Sequence, residues 1–325
     1  MMTDREQIVD LIRQNKQFYL FSHMLPDGDS IGSLLAMGEA LTAMGKEIKM
    51  YTPGHIPHKY SFLKGAELVG HTAIEGKSDW ISIVLDSSDA DRLSIFKEAA
   101  LTSNVLVNID HHVTNQRYGT LNLVDSEASA TGEIVYTLIR ELGPEITVTM
   151  AESLYVAIST DTGSFKYDNT TPFTHEVVAD LLRYGLSPGT ISQRIFDERP
   201  RSFYILLKEA LSSLEFYQGG DIAIMTLSRD LRERSGATTD DLDGIVNYTR
   251  NIEGVELGIL FYVDSAEEVK VGFRSKTLDV SDLAGRLNGG GHVRAAGCRL
   301  HGGYEEVKAQ VMREALELYR ELPAR

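Results

Sequence analysis

The chain has 325 residues, enough for two domains with cores of their own, and its 42% hydrophobic and 24% charged content is that of a globular protein. A formal charge of −15 argues against a long nucleic-acid duplex as the main partner, because such binding rests on neutralising many phosphates. No run approaches the roughly 20 apolar residues that span a bilayer. Met1-Met2-Thr3-Asp4-Arg5-Glu6 lacks a basic region followed by an apolar core, and the lone Cys298 excludes an intrachain disulfide, so a reducing cytoplasm is expected.

In chain order, Ile8, Leu11 and Ile12 at helical spacing predict a helix over Thr3–Lys16. Phe18-Tyr19-Leu20-Phe21 reads as a strand leading to Ser22-His23 and then Asp27-Gly28-Asp29. Ser30 is the expected cap of a helix through Ile31, Leu34, Leu35, Met37 and Leu41, stopping near Gly45. Ile48–Tyr51 is a short strand, and Thr52–His58 is a loop in which His55 and His58 read as solvated histidines. Trp80–Leu85 forms a further apolar run, ending at Asp86. Asn104–Ile109 is another, ending at Asp110-His111-His112. An apolar helical pattern closes at Ser159-Thr160-Asp161-Thr162-Gly163.

Continuous apolar runs alternating with helix patterns up to about Gly185 predict a mostly parallel α/β sheet. Ser187-Pro188-Gly189 breaks the chain, and a helical segment from Thr190 to about Phe216 is expected as a connector. Gly219-Gly220 then opens a smaller α/β unit. Its expected parts are a strand at Ile222–Met225, a helix from Thr238 or Thr239 to Asn251, and paired strands at Val255–Val263 and Glu268–Arg274. A helix at Val280–Leu287, the run Gly289-Gly290-Gly291-His292, a strand at Ala296–Leu300 and a helix from Tyr304 to about Leu322 complete it. The expected domains are 1–187 and 218–325, joined by a helical linker over 188–217.

The chemistry lies at the strand ends. In open α/β sheets ligands bind outside the carboxyl ends of the strands, so these tips should converge. Each piece alone has a plainer reading: Asp27-Gly28-Asp29 as a turn, Asp86 as a cap, His23 as a core histidine, Asp161 as a helix exit. Together His23, Asp27, Asp29, Asp86, His111 and Asp161 offer two imidazoles and four carboxylates. A structural zinc site usually includes sulfur, and there is none here. Six mixed nitrogen and oxygen ligands suit two divalent ions of the manganese or magnesium kind, a pairing used for in-line phosphoryl displacement.

Ser22-His23 with Asp27-Gly28-Asp29-Ser30, then Asp86, Asp110-His111-His112 and Asp161-Thr162-Gly163, resemble the four motifs of the DHH phosphoesterase superfamily. Gly289-Gly290-Gly291-His292 with Ala295-Ala296-Gly297 resembles the signature of the associated DHHA1 domain. The order and separation match over essentially the whole chain, and the compact two-domain form is similar to the bifunctional oligoribonuclease and pAp phosphatase (nano-RNase) group. That resemblance implies a DHH catalytic domain and a DHHA1 substrate-binding domain. It implies manganese-dependent hydrolysis of very short RNA to nucleoside 5′-monophosphates and of pAp to AMP, by attack of a metal-activated water. It places His23 and Asp27 on one ion, Asp29, His111 and Asp161 on the other, and Asp86 on both. Asp110 would orient a liganding histidine, and His112 would lie against the scissile phosphate. Arg274 and Ser275, the glycine run Gly289, Gly290 and Gly291 with His292, and more weakly Asn247, would hold the far part of the substrate. A homodimer is plausible by the same resemblance. The alternatives are action on cyclic or linear dinucleotides or, further off, a family II inorganic pyrophosphatase. The basic Ser-Arg-Lys-Lys-Gln stretch of that pyrophosphatase family is absent.

Overall fold

A computed structural model describes residues 2–237, 242 and 244–320, apart from the side chain of His292. The chain divides into two compact units, Met1–Glu198 and Arg199–Arg325.

The first unit begins with α1 (Asp4–Gln14), started by a capping box between Thr3 and Glu6. It continues with β1 (Gln17–Phe21), α2 (Gly28–Ala43), β2 (Glu47–Tyr51), β3 (Ile81–Leu85), α3 (Lys97–Thr102), β4 (Leu106–Asp110) and β5 (Leu121–Val124). The helices α4 (Thr131–Leu142), α5 (Val148–Asp161), α6 (Pro172–Leu182) and α7 (Pro188–Ser192) follow. The sheet has the order β2-β1-β3-β4-β5, and every pairing in it is parallel. β3 and β4 are buried at every position, which is why their sequences are continuous apolar runs rather than alternating ones. One face packs on α1, α2, α4 and α5. The other carries an aromatic cluster of Tyr19, Phe21, Trp80 and Phe96, in which Tyr19 stacks on Trp80 at 4.4 Å.

Two details differ from the sequence reading here. The cap of α2 is Asp27, not Ser30: the Asp27 carboxylate accepts the Ser30 N–H, and the Ser30 hydroxyl accepts the Asp27 N–H. Ser30 thus sits one turn inside the helix, and the two side chains satisfy each other's backbone donors. β5 was not foreseen, because its four residues are only half-buried and carry no long apolar run.

The expected helix over 190–216 is not continuous. α7 passes into a wide turn over Gln193–Asp197, and a new helix, α8 (Arg201–Ser212), starts after Pro200. Proline has no N–H to donate and forces the residue before it away from helical geometry, so the helix breaks there. Phe216 lies instead in β6 (Glu215–Tyr217).

The second unit holds β7 (Ile222–Ser228), α9 (Arg229–Ser235), α10 (Asn247–Arg250), β8 (Leu257–Ser265), β9 (Glu268–Ser275), α11 (Val280–Arg286), β10 (Gly290–His292), β11 (Ala295–His301) and α12 (Tyr304–Arg320). Its sheet runs β10-β11-β9-β8-β7-β6, with only β7 and β8 parallel. α11 and α12 cover one face and α8 packs on the other. Thr238 and Thr239, the expected start of the helix ending near Asn251, lie outside the described residues, as does Leu322. Among the described residues no helix is long and apolar enough to cross a membrane.

Candidate metal centre

The strand order of the first sheet reverses direction between β1 and β3, and the crevice at such a switch point is where ligands of this topology bind. His23 follows β1, Asp86 follows β3 directly, and Asp110 ends β4 with His111 next in the chain. Asp27 and Asp29 lie at the amino end of α2, and Asp161 is the last residue of α5. Gly28 lets those two helix ends meet, since a Cβ there would sit 2.3 Å from the Thr160 hydroxyl oxygen.

All six residues converge. His23 Nε2 stands 3.4 Å from Asp86 Oδ2 and 3.9 Å from Asp27 Oδ1. His111 Nε2 stands 3.3 Å from Asp161, 3.8 Å from Asp29 and 3.8 Å from Asp86 Oδ1. Potential ligand atoms within each of three sets lie within 4.8 Å of one another: His23, Asp27 and Asp86; Asp29, His111 and Asp161; and Asp86, His111 and His112. Asp86 is common to two of them.

Asp86 is fully buried, and its φ of 59° is a conformation that non-glycine residues rarely adopt away from functional sites. One carboxylate oxygen accepts the Thr131 hydroxyl at 3.0 Å, while Oδ2 is buried without a hydrogen-bond partner. Burial favours the neutral acid, but the approach of His23 and the charges of three histidines prevail and hold Asp86 below the usual carboxylate range. Asp29 is pushed well above that range by burial and by the charges of Asp86, Asp161 and Asp27. Asp161 is pushed up to about 7 by burial, with the opposing charge of His111 outweighed. An orphaned buried carboxylate oxygen among crowded acids is a site that divalent cations would relieve. The nitrogen and carboxylate donors, with no sulfur, fit hard or borderline ions such as manganese or magnesium.

The imidazoles are held in different ways. His111 Nδ1 faces the Ala128 carbonyl at 3.2 Å, which leaves Nε2 turned to the acids, the usual arrangement behind a metal-binding histidine. His23 Nδ1 accepts the Leu25 N–H at 3.3 Å, which leaves Nε2 turned toward Asp86 and Asp27. The expected role of Asp110 needs correction. Its carboxylate bonds the ring of the neighbouring His112, at 2.7 Å from Nδ1, and reaches His111 only through the backbone N–H. The Ala128 carbonyl already occupies the His111 ring nitrogen. Burial opposes a charged His112, but the bond to Asp110 and the charge of Asp86 prevail and push it up to about 9.

Four contributors were missed from sequence: Ala128, Thr131, Gly132 and Asn115. Thr131 and Gly132 offer their N–H groups to Asp29 at 2.7 and 2.9 Å. Asn115 donates to Asp110 at 2.5 Å and to the buried Asn108 at 2.8 Å. Only Asn115, three residues after the histidine pair, carried a usable signal. The others act largely through backbone atoms, which residue identity does not announce.

In the second unit Arg274 Nε donates to Asn247 Oδ1 at 2.9 Å, so these two expected substrate-binding residues are joined. Ser275 departs from expectation: it is buried, and its hydroxyl donates to the Leu278 carbonyl. The glycine run is likewise not a free loop. Gly290–His292 is an edge strand paired with β11, and a Cβ on Gly289 or Gly291 would strike Gly297 O or Ala296 Cα at 2.2 and 2.5 Å. Close strand packing therefore accounts for those two glycines. The His292 side chain lies outside the described structure.

Comparison with known proteins fits this geometry. Residues 17–158 match the DHH family N-terminal domain and residues 219–322 match the DHHA1 domain. The bifunctional oligoribonuclease and PAP phosphatase NrnA of Thermus thermophilus is 35% identical over 302 residues, 91% of this chain and 89% of that protein. The chain belongs to the DHH–DHHA1 phosphoesterase family. The Bacillus subtilis protein of the same name is 27% identical over 91% of this chain and 93% of its own. A crystal structure of an exopolyphosphatase-related protein from Bacteroides fragilis shares the fold, with a TM-score of 0.89 at 23% identity over 97% and 96% of the two chains. As a DHH–DHHA1 phosphoesterase this protein is a divalent-metal-dependent hydrolase, with a candidate metal site at the switch point of its first sheet.

Proposed function

We propose that this protein hydrolyses very short oligoribonucleotides to nucleoside 5′-monophosphates and pAp to AMP, with manganese as the working ion. The observation that carries the reading is the 35% identity to an oligoribonuclease and PAP phosphatase across nine-tenths of both chains. The converging acids and histidines of the first unit support it. The two reactions are one chemistry. Each breaks the bond between phosphorus and a ribose 3′-oxygen, and each delivers a nucleotide that keeps its 5′-phosphate.

His23, Asp27 and Asp86 would hold one ion, and Asp29, His111 and Asp161, with Asp86 shared, the other. Two divalent ions supply positive charge for the phosphate oxygens and a nucleophilic water near neutral pH. The chain's own part is to fix that geometry. Thr131 and Gly132 anchor Asp29, and Thr131 also anchors Asp86. Asp110 orients His112 as a hydrogen-bond donor to the scissile phosphate. In the second unit the joined pair Asn247 and Arg274 would bind a remote phosphate, a contact suited to a bidentate guanidinium. Edge-strand amides of the glycine run would add to it.

The test compares initial rates on pAp, a dinucleotide, a long single strand and pyrophosphate in one buffer, with manganese or magnesium added to metal-stripped protein. Turnover of pAp and the dinucleotide well above the other two, and highest with manganese, is the expected result. Pyrophosphate as the best substrate, or equal rates on short and long RNA, would reject the proposal.

A further inference from the structure

The turn after α5 is built in a costly way. Gly163, Ser164 and Phe165 all have positive φ, at 56°, 60° and 63°. Glycine adopts this readily, but a run that includes a bulky aromatic is disfavoured and needs firm support. The support is present. Thr162 O accepts the N–H groups of Lys166 and Tyr167 at 2.9 and 3.1 Å, and the Phe165 ring packs inward against Tyr155 and His175. Asn169 ties the turn to the centre, donating to Asp161 O at 3.2 Å and to Ser129 O at 3.0 Å, beside the Ala128 carbonyl that holds His111.

The result is that the Tyr167 ring lies against Gly163, so close that a Cβ on that glycine would sit 2.3 Å from the ring carbon that bears the hydroxyl. Its other surroundings are open, for Tyr167 is 52% exposed. Exposed apolar side chains also stand on the other ligand-bearing loops: Leu25 between His23 and Asp27, and Val113 directly after His112. Divalent ions at the acid cluster would take the phosphate oxygens, which leaves the base to a partner of its own. A fixed aromatic face holds any base, because every base has a π-face to stack.

We infer that Tyr167 is a stacking face for the nucleobase adjoining the scissile phosphate, held in place by the Gly163–Phe165 turn. The inference rests on the reading of the substrate as a short nucleotide. It makes binding tolerant of base identity, and it explains why Gly163 is needed both for its positive φ and for the space above its Cα. The competing account is that Tyr167 only covers Gly163, which any apolar side chain would do.

The test uses Tyr167→Leu and Tyr167→Phe in the full chain with manganese, a dinucleotide containing fluorescent 2-aminopurine, and an analogue lacking its bases. Stopped-flow mixing reads base stacking as quenching before turnover. The unsubstituted protein and Tyr167→Phe should quench alike. Tyr167→Leu should lose the quench and lose roughly five- to a hundredfold in kcat/KM on the dinucleotide while matching the unsubstituted protein on the analogue. Tyr167→Gln repeats the test if the leucine variant does not fold. Quenching that survives removal of the ring, or equal losses on both substrates, overturns the inference. The substrate reading is judged separately by the unsubstituted protein. If that protein cleaves neither compound yet shows Tyr167-dependent quenching, the stacking face stands and the phosphoesterase reading of these substrates falls.

Discussion

The Asp29 carboxylate closes the amino end of α4: it accepts the Thr131 N–H at 2.7 Å across 102 residues of sequence, and the Gly132 N–H at 2.9 Å. The helix residue that would ordinarily cap, Ala130, has no side chain able to do so. Asp29, proposed as a ligand of the candidate metal centre, thus doubles as a cap, and metal binding there would be linked to folding. A ligand that binds only the folded state stabilises it by about 2.7 kcal/mol at a hundred times its Kd, or roughly 5–10 °C for a unit of this size. Stripping the metal should lower Tm by that amount and adding manganese back should restore it. Asp29→Asn keeps an acceptor for one N–H but removes the charge, so most of the metal-dependent increment should vanish. Scanning calorimetry of both proteins with and without manganese checks this. A full increment in the variant would remove Asp29 from the ligand set.

A second expectation concerns pH in the metal-free protein. The Asp161 carboxyl stands at about 7 in the folded chain and near 3.9 unfolded. Its contribution to stability is therefore present below about pH 4 and lost as pH rises through about 7. The raised His112 works in the same direction, with its contribution lost as pH rises through about 9. Tm without metal should fall between pH 5 and 8, and Asp161→Asn should make that slope shallower. With saturating manganese the trend should invert, because ions bind the deprotonated ligands. A metal-free Tm that climbs over this range would contradict the charge arrangement.

Much of this candidate centre is legible in sequence because its proposed ligands sit where chemistry leaves a local trace, at the polar ends of apolar runs. His23, Asp86 and Asp110-His111 follow buried strands, and no folding constraint calls for metal-competent side chains there. What holds those ligands was mostly silent. The Ala128 carbonyl and the Thr131 and Gly132 amides are backbone groups, and their use depends on where α4 starts in space. In the second unit the residue types are legible but the structural work they do is not. Ser275 and the glycine run carry residue types that suit phosphate, yet burial accounts for Ser275 and strand packing for Gly289 and Gly291. The break at Pro200 was visible as a proline, but the helical spacing on both sides concealed it.

Asn115 should matter to rate more than to metal content. Its amide spans Asp110 and Asn108, and removal leaves Asp110 Oδ2 without that donor inside the protein. Leaving a buried acceptor unsatisfied costs about 1–3 kcal/mol and frees His112 to drift from its position. For Asn115→Ala the expected outcome is a normal manganese stoichiometry, a Tm lowered by several degrees and a kcat reduced roughly ten- to a hundredfold. Elemental analysis beside steady-state kinetics distinguishes this from ligand loss. Asp86→Asn serves as the contrast, since it should lose bound metal and turnover together. If Asn115→Ala also loses the metal, the Asp110–His112 arm belongs to the ion site and does not act on the substrate.

The joined pair in the second unit gives the last expectation. Asn247 Oδ1 accepts the Arg274 Nε–H, which fixes the plane of the guanidinium, and Arg274 also donates to the Phe273 carbonyl. If that group binds a phosphate away from the reacting one, Arg274→Ala removes a charge-assisted contact worth about 1.5–3 kcal/mol, roughly a ten- to hundredfold loss in kcat/KM. Binding energy from a remote group also aligns the reacting phosphate, so part of the loss should fall on kcat. Asn247→Ala should reproduce a fraction of the effect, because the arginine remains but its guanidinium loses the Asn247 anchor. p-Nitrophenyl phosphate, too small to present a second phosphate, should be hydrolysed equally by all three proteins. Measuring kcat and KM for each on pAp, a dinucleotide and this ester gives the answer. Equal losses on the small ester would mean that Arg274 supports the fold of its own sheet, and that the second unit grips substrate by other groups.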